Sequence, residues 1–358
     1  MPKIKKMFEY KNPSPRTVGR GCAVPPLVGT ATKSVWHRNS VSVYNSNSID
    51  VYKEWDSPDV IVSDGGYGIL GFEGDTSNYL DLPKWYEPHI IKWSKYATPK
   101  TTLWFWNSEI GWAVMHPILE KYGWKYVNAN IWNKGKGHIA GNVNTAKIRR
   151  FPVVSEVCVQ YTFEAKIDGL ELKAWLLREW KRSGLAISKA NAACGVASAA
   201  TRKYLDQGHL WYFPPADMFT KMQQYVNSYG DPAGRPYFSI DGKHPCSSED
   251  WLAMRAKFYC PHGVTNVWDR PALRGPERFK VNGSNGKAIH LNQKPLDLIS
   301  LIIKSSSDIG DVIWEPFGGL FTACIAANHI KRRAFGAEIN PLYYGYAIQR
   351  LEKEILEN

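Results

Sequence analysis

A short segment early in the chain carries an acid, two glycines and an aromatic ring in direct succession. In residues 59–68, with the sequence DVIVSDGGYG, an apolar run leads into a sharp turn. Asp64 could accept hydrogen bonds from a substrate, and Tyr67 could stack on a flat ring. An ordinary surface turn between a strand and a helix would have the same composition. The segment is therefore a candidate catalytic site that needs support from elsewhere in the chain.

A second apolar run leads into a glycine turn near the C-terminus, in residues 311–319 (DVIWEPFGG). Glycines bring the backbone close to a ligand at the carboxyl end of a strand, where α/β sheets bind nucleotides. Glu338 follows Glu315 by 23 positions, at the end of the next predicted strand. An acid placed there can bind the two hydroxyls of a ribose. A tight structural turn would explain the glycines equally well.

The charge of the chain favours a polyanionic partner. Its 358 residues include 45 Lys and Arg against 33 Asp and Glu, which gives a formal net charge of +12. Basic proteins bind nucleic acids through counterion release, and the 15 Trp and 19 Tyr could supply stacking platforms. Many soluble proteins are also basic, and most of these rings should belong to the core. The composition is consistent with nucleic acid as the partner.

The cysteines and the apolar runs exclude several protein classes. The six cysteines form no CxxC pair, so neither a zinc ribbon nor a disulfide framework is expected. Cys246, Cys260 and His262 lack metal-ligand spacing, and we predict no metal site. No apolar segment marks the N-terminus, and 18 apolar residues never run together. We therefore expect a reduced, cytoplasmic protein that is neither secreted nor membrane-spanning.

From Val41 onward, short apolar runs alternate with helical patterns, which is typical of a mostly parallel sheet covered by helices. The predicted strands are residues 41–44, 60–62, 102–106, 126–132, 153–161, 312–314 and 333–338. The predicted helices are residues 85–96, 110–122, 172–181, 189–194, 197–205, 296–304, 320–329 and 341–354. These elements predict an α/β fold with a Rossmann-like, doubly wound sheet.

Four regions follow from this pattern. Residues 1–40 are basic and proline-containing and predict an extended arm, either a solvated tail or a contact to the DNA backbone. Residues 41–166 and 263–358 would form the two halves of the sheet domain. Residues 167–262 lack strand signals and predict a smaller, mainly helical insert.

Three C-terminal segments resemble motifs of the S-adenosylmethionine-dependent DNA amino-methyltransferases. Residues 290–296 (HLNQKPL) resemble the tenth motif, residues 311–322 the first, and residues 335–341 (FGAEINP), with Tyr343 or Tyr344, the second. The catalytic-type turn comes before a variable region and these motifs come last. This order resembles that of the β group, a circular permutant of the usual arrangement. The resemblance implies a methyltransferase sheet whose insert recognises the target DNA.

The resemblance also implies S-adenosylmethionine as the cofactor. Phe317 and Gly319 would wall the cofactor, Glu338 would bind its ribose, and Gln293 with Lys294 would approach its methionine end. Lys294 is also a suitable partner for the cofactor's carboxylate. The implied cofactor-binding residues are Asn47, Asp64, Asn292, Gln293, Lys294, Glu315, Phe317, Gly318, Gly319, Thr322 and Glu338.

This chain departs from the family pattern at three of these motif positions. Glu315 and Asn47 each stand where the family usually has Asp, and the family Asp at the second position touches the adenine ring. Asn47 could still form a hydrogen bond there but carries no charge. Phe321 stands where the family has a second glycine.

The turn at residues 63–67 resembles the family's Asp/Ser/Asn-Pro-Pro-Tyr segment, with glycine in place of both prolines. An exocyclic amine is conjugated with its ring and is a poor nucleophile. Hydrogen bonds from its N–H groups to Asp64 and to a backbone carbonyl would shift electron density onto the nitrogen. Tyr67 would stack on the base after base flipping. The implied catalytic residues are Ser63, Asp64, Gly65, Gly66 and Tyr67.

Two segments are predicted to contact DNA. Residues 187–205 predict a helix, a glycine turn and a second helix, which is the layout of a helix-turn-helix, although a plain helical hairpin has the same pattern. Residues 132–150 predict a polar, basic loop whose amides suit base edges and whose cations suit phosphates. The predicted DNA-binding residues are Lys134, Lys136, His138, Asn142, Asn144, Arg149, Ser198, Thr201, Arg202 and Lys203.

These features favour a site-specific methyltransferase of double-stranded DNA, a monomer or homodimer, that is the partner of a restriction endonuclease. Asp64 favours adenine N6 by the family pattern, but the variant SDGGYG resembles a subset of N4-cytosine enzymes, and we favour cytosine N4. The missing prolines, Asn47 and Phe321 leave open a DNA-binding protein that has lost catalysis. RNA is an alternative substrate.

Overall fold

The computed structural model describes residues 34–70, 74–135, 149–280 and 292–356. Its strands are β1 (Ser34–Arg38), β2 (Val41–Asn45), β3 (Val60–Ser63), β4 (Thr102–Asn107), β5 (Trp124–Asn133), β6 (Ser155–Phe163), β7 (Lys166–Ile167), β8 (Leu170–Glu171), β9 (Val267–Asp269), β10 (Val312–Glu315) and β11 (Arg333–Glu338). Its α-helices are α1 (Ser48–Val51), α2 (Leu82–Tyr96), α3 (Glu109–Lys121), α4 (Leu172–Arg182), α5 (Lys189–Cys194), α6 (Ala216–Tyr229), α7 (Ser248–Leu252), α8 (Leu296–Ser306), α9 (Thr322–His329) and α10 (Pro341–Leu356).

One large sheet organises the molecule, in the order β1-β2-β11-β10-β3-β4-β6-β5-β9. The five strands from β2 to β4 in this order are parallel, whereas β6 runs antiparallel to both β4 and β5. The chain leaves β10 towards β11 on one side and leaves β3 towards β4 on the other. The junction of β10 and β3 is therefore a topological switch point, where open α/β sheets bind ligands. This topology is the α/β, Rossmann-like, doubly wound fold that the sequence predicts.

The central strands are buried because helices cover both faces of the sheet. All four residues of β3 and all four of β10 are buried, which is typical of inner parallel strands. Val60 and Val62 pack in an apolar cluster with α8, α9 and α10. Ile61, between them, packs in a second cluster with α1, α2 and α3. The continuous apolar runs seen in the sequence thus fill two cores at once.

A third apolar cluster lies within residues 167–254 and contains Trp175, Trp180, Phe219 and Trp251. Phe219 and Trp251 stack with ring centroids 4.3 Å apart. The cluster joins α4, α5, α6 and α7, so this part of the chain has an apolar core of its own. Among the described residues, no helix is both long enough and apolar enough to cross a membrane.

The sequence prediction was wrong in the insert and at the start of the sheet domain, and it did not include the short strands β7, β8 and β9. The second helix expected at residues 197–205 is only a five-residue π-helical turn, Ala200–Tyr204. Helices α6 and α7, which were not predicted, complete the insert. At the other end, residues 34–38 were expected in an extended arm, either a solvated tail or a DNA contact, but form β1, antiparallel to β2. Residues 1–33 of that arm lie outside the described part of the chain.

Phe321 occupies a backbone conformation that favours glycine. Its φ angle is +53°, in the left-handed region, and its ring is fully buried. A β-carbon on Gly318 would lie 2.1 Å from this ring, and one on Gly336 would lie 2.8 Å from it. The ring therefore fills the space that side chains at both positions would need.

Replacing Gly336 with alanine tests this packing. The added methyl would also lie 2.9 Å from Cys324 Sγ, inside a closed core. We expect Gly336→Ala to lower the free energy of unfolding by about 1–3 kcal/mol, measured by urea denaturation. The control is Gly345→Ala on an exposed face of α10, where an added β-carbon meets nothing within 4 Å. Equal stability of the two variants would contradict the proposed clash.

Glu315 closes the N-terminus of α9 rather than facing outward. Its two carboxylate oxygens accept hydrogen bonds from the backbone N–H groups of Ala323, at 3.0 Å, and Cys324, at 2.8 Å. The first turn of a helix has unsatisfied N–H groups, and this side chain supplies two acceptors from a neighbouring strand. Burial raises the pKa of Glu315 to about 7, although the two N–H bonds oppose the shift.

This raised pKa predicts how stability depends on pH. Between the ordinary pKa of 4.5 and about 7, the folded state holds the proton of Glu315 more often than the unfolded state. The contribution of this group to stability therefore falls as pH rises through that range. Relative to wild type, Glu315→Gln should gain on the order of 2 kcal/mol across it, measured by urea denaturation at each pH. A stability difference that does not change with pH would contradict the raised pKa.

Candidate active site

A cavity of about 480 Å³ opens where the carboxyl ends of β2, β11, β10 and β3 meet. Its size is in the usual range for a small-molecule or cofactor site. Every cofactor residue named from the sequence lines it: Asn47, Asp64, Asn292, Gln293, Lys294, Glu315, Phe317, Gly318, Gly319, Thr322 and Glu338. Of the catalytic candidates, Asp64, Gly65 and Tyr67 also line it, whereas Ser63 and Gly66 are buried outside its lining.

Four charged side chains and one tyrosine form a network at one end of this cavity. Lys294 Nζ lies 2.6 Å from Asp64 Oδ1 and 3.4 Å from Glu156 Oε2. The Tyr67 hydroxyl donates to Asp64 Oδ1 at 3.0 Å and lies 3.3 Å from Glu156 Oε2. Lys134 pairs with the other oxygen of Glu156. Two ammonium groups thus neutralise two carboxylates.

The network shifts the pKa values of its members. Burial raises the pKa of Asp64 above its ordinary value, with Lys294 opposing the shift and Glu156 adding to it. Burial would also raise the pKa of Glu156, but Lys294 and Lys134 together lower it. Burial would lower the pKa of Lys294, yet the two carboxylates raise it. Glu156 is therefore held as the anion and Lys294 as the cation, while Asp64 is the carboxylate most easily protonated.

The turn at residues 63–67 is glycine-rich because its surroundings are crowded. A β-carbon on Gly65 would lie 2.7 Å from both the Phe317 ring and the Tyr86 hydroxyl. The Gly66 carbonyl accepts hydrogen bonds from that hydroxyl at 3.1 Å and from Asn107 Nδ2 at 2.9 Å. The prolines usual in the family would introduce the same β-carbons. In this chain glycine fits where proline would clash.

Asp75, which the sequence analysis did not single out, holds the rest of the turn. Its carboxylate accepts hydrogen bonds from the backbone N–H groups of Gly68, at 2.9 Å, and Ile69, at 3.2 Å. Gly68 has a φ angle of +72°, which a residue with a side chain adopts only with strain. Asp75 thus stabilises the return of the chain after Tyr67. In the sequence, Asp75 could have been identified as an acid a few residues beyond a glycine turn.

The opposite end of the cavity contains groups suited to a nucleoside. Glu338 Oε2 accepts a hydrogen bond from Gly319 N at 2.7 Å, and its Oε1 accepts one from Asn340 N at 2.8 Å. Burial raises the pKa of Glu338, and the two N–H bonds oppose the shift. Gly319 has a φ angle of +53°, so the turn carries an open backbone beside this acid. The partly buried acid, the glycine turn and the Phe317 ring thus line the same part of the cavity.

Three residues that the sequence assigned to cofactor binding also bind other groups of the protein. Lys294, expected to pair with the cofactor's carboxylate, is bound to Asp64 and Glu156. Gln293 Oε1 accepts a hydrogen bond from Phe279 N at 3.1 Å, so its amide holds a neighbouring loop. Asn47 Oδ1 accepts a hydrogen bond from Ile49 N and caps α1. These side chains position the site as well as line it.

The predicted DNA-binding residues are distributed over separate parts of the chain. Lys134 is turned into the active site and is only 11% exposed, so the structure gives it a partner other than DNA. Thr201 is hydrogen-bonded to Asn191 and joins α5 to the π-helical turn. The exposed candidates are Arg149, Ser198, Arg202 and Lys203. Lys136, His138, Asn142 and Asn144 lie outside the described residues.

Two known proteins are similar in sequence to parts of this chain. The type II methyltransferase M1.MboII of Moraxella bovis is 34% identical over 134 residues, which are 36% of this chain and 50% of that protein. The DNA adenine methyltransferase YhdJ of Escherichia coli (strain K12) is 37% identical over 87 residues, which are 24% of this chain and 27% of that protein. The chain thus spans half or less of the length of these relatives.

Among solved structures, the cytosine-N4-specific PvuII DNA methyltransferase aligns with a TM-score of 0.48 at 13% identity, covering 89% of this chain and 91% of that one. A family model described as DNA methylase matches residues 58–349. Because that match includes both the turn at Asp64 and the turn at Gly319, and extends over most of the chain, the protein belongs to the DNA methylase family, whose members are S-adenosylmethionine-dependent and methylate cytosine N4 or adenine N6.

Proposed function

We propose that this chain transfers a methyl group from S-adenosylmethionine to the exocyclic amine of a base in double-stranded DNA. The observation that carries the proposal is the shared cavity. Asp64, the candidate catalytic acid, and Glu338, the candidate ribose ligand, line the same 480 Å³ space although 274 positions separate them in sequence. The family membership supplies the class of reaction.

Asp64 is placed to activate the amine. When bound, the cofactor supplies a methyl group on a positively charged sulfur. Both hydrogen bonds to Asp64 within the described residues use Oδ1, which leaves Oδ2 as an acceptor for an amine N–H. The nitrogen must lose a proton as it gains the methyl group. Burial raises the pKa of Asp64, which suits its carboxylate to accept that proton.

Tyr67 and the charged network would receive the flipped base. The Tyr67 ring lies 5.3 Å from Lys294 Nζ, and its hydroxyl is held by Asp64 and Glu156. The ring is only partly buried, so one side can meet a base that leaves the duplex. The same ring would then stack on the base whose amine reaches Asp64.

The rest of the proposed interaction with DNA depends on charge and exposure. The net charge of +12 favours binding to the phosphate backbone. Arg202 and Lys203 are exposed on the insert beside α5 and would contact DNA there. The short α5 and the π-helical turn make a helical hairpin with a small second arm, and we propose this hairpin as part of the target-recognition surface. The proposed partner in the cell is a restriction endonuclease.

The proposed location is a reducing cytoplasm. Five cysteines of the described residues are free, as expected there: Cys158, Cys194, Cys246, Cys260 and Cys324.

Cytosine N4 is the proposed target, because the SDGGYG turn resembles that of a subset of N4-cytosine enzymes. Adenine N6 is the second candidate. It is favoured by Asp64, since the family pattern associates this acid with adenine, and by the 37% identity to a DNA adenine methyltransferase.

Transfer of label from radioactive S-adenosylmethionine to DNA of mixed sequence tests the proposal. We expect labelled DNA whose hydrolysed nucleosides contain N4-methylcytosine by mass spectrometry. N6-methyladenine would support the second candidate instead. Binding of the cofactor without transfer to any DNA would favour a DNA-binding protein that has lost catalysis, and label in RNA alone would reassign the substrate.

Asp64→Asn tests the role of the acid. The variant keeps the side-chain shape, and Glu156 remains paired with Lys294 at 3.4 Å, so the fold and cofactor binding should persist. The kcat for methyl transfer is expected to fall by about 10²–10⁴-fold, with near-normal cofactor affinity by calorimetry. Asp50→Asn, at an exposed position of α1, is the matched control and should leave kcat unchanged. Wild-type activity in Asp64→Asn would move catalysis to another residue.

A further inference from the structure

We propose that His89 recognises the adenine ring of S-adenosylmethionine by donating a hydrogen bond from its Nε2–H to a ring nitrogen. This inference rests on the proposed function, since it assigns one more residue to the same cavity. His89 belongs to α2 and lines the cavity, but it is not part of any motif in the sequence. This contact requires that Nε2 of the ring carries the proton and faces the cavity.

A chain of hydrogen bonds favours one tautomer of His89. Trp93 Nε1, which can only donate, donates to the Tyr52 hydroxyl oxygen at 2.8 Å. The Tyr52 hydroxyl lies 3.0 Å from His89 Nδ1, and the Ser48 hydroxyl lies 3.5 Å from the same nitrogen. Two hydroxyl groups therefore face Nδ1, and each has a hydrogen to donate. We assign Nδ1 as the acceptor of these hydroxyl groups, which places the ring proton on Nε2.

Burial keeps the ring neutral. His89 is 6% exposed, and burial lowers its pKa to about 4. At neutral pH the ring thus has one donor, Nε2–H, and one acceptor, Nδ1, which is already used. Within the described residues Nε2 has no hydrogen-bond partner, yet it is not among the fully enclosed side-chain atoms that lack one. Nε2 therefore reaches the open space that His89 lines, which is the cavity.

The surroundings of His89 fit a flat, uncharged group. Its ring lies 4.8 Å from the Phe317 ring in an edge-to-face arrangement and 5.5 Å from the Trp85 ring. Ser48, which contacts it, follows Asn47 and is the first residue of α1. The charged groups of the network, around Lys294, are absent from these contacts. Of the three parts of the cofactor, the purine is the flat, uncharged one.

The chemistry of the donor narrows the contact further. An adenine ring presents unprotonated nitrogens at positions 1, 3 and 7, and each can accept a hydrogen bond. A neutral imidazole N–H supplies the complementary donor without adding a charge beside the positive sulfur. The aromatic neighbours Phe317 and Trp85 would limit water at this bond. His89 would thus select a purine with an acceptor at one defined position.

Binding calorimetry with modified ligands tests the proposal without relying on catalysis. The ligands are S-adenosylhomocysteine and its 1-deaza, 3-deaza and 7-deaza analogues, in each of which a C–H replaces one ring nitrogen. For the wild-type protein, one analogue should bind about threefold to tenfold more weakly than the others. In His89→Phe the N–H donor is absent. S-adenosylhomocysteine and that analogue should therefore bind this variant equally.

Two further variants keep the test informative. His89→Gln carries an amide N–H near the position of Nε2 and should retain part of the discrimination. His116→Phe, a partly exposed histidine on α3 outside the cavity lining, should retain all of it. Binding by the wild-type protein with no difference among the three analogues would overturn the role of His89 and leave the proposed function standing. No binding of S-adenosylhomocysteine by the wild-type protein would overturn both.

Discussion

The ammonium group of Lys294 joins the parts of the active site. It is 5% exposed and contacts two carboxylates, Asp64 in the turn after β3 and Glu156 on β6. A buried charge is tolerated only when its partners compensate the loss of water. The segment before α8, the catalytic turn and the inner antiparallel strand must therefore fold together. Lys134 completes the balance of charge, so the polar end of the cavity is neutral while its individual groups remain ionised.

Most of the sheet could be predicted from the sequence because its inner strands are buried on both faces. Such strands appear as continuous apolar runs, as in residues 60–63 and 312–315, and their limits differ from the predicted ones by a single residue. The edge strand β1 could not be found in this way, since its residues are largely exposed and have no apolar run. The π-helical turn at residues 200–204 has helical composition, and its hydrogen bonds to α5 through Asn191 and Thr201 join residues ten positions apart, which a local sequence pattern does not reveal.

The candidate site could be predicted where local sequence determines local shape. The turns at Gly65 and Gly319 directly follow apolar strands, so both turns can be located from the sequence. Glu156 and His89 could not be found, because nothing beside them in the sequence indicates a site. Glu156 looks like the polar end of an ordinary strand, and His89 like one residue of an amphipathic helix. Only the pairing of β6 with β4 and the packing of α2 on the sheet bring them to the cavity.

The ring of Phe321 makes three positions of the cofactor turn interdependent. While the ring is present, residues 318 and 336 are limited to glycine, since no other side chain has room there. If the ring is lost first, a void is left beneath the turn and nothing yet fills it. Either order of substitution passes through a less stable protein. Residues 318, 321 and 336 should therefore change together among descendants of this sequence, and a lineage with glycine at 321 should be free to carry larger residues at the other two.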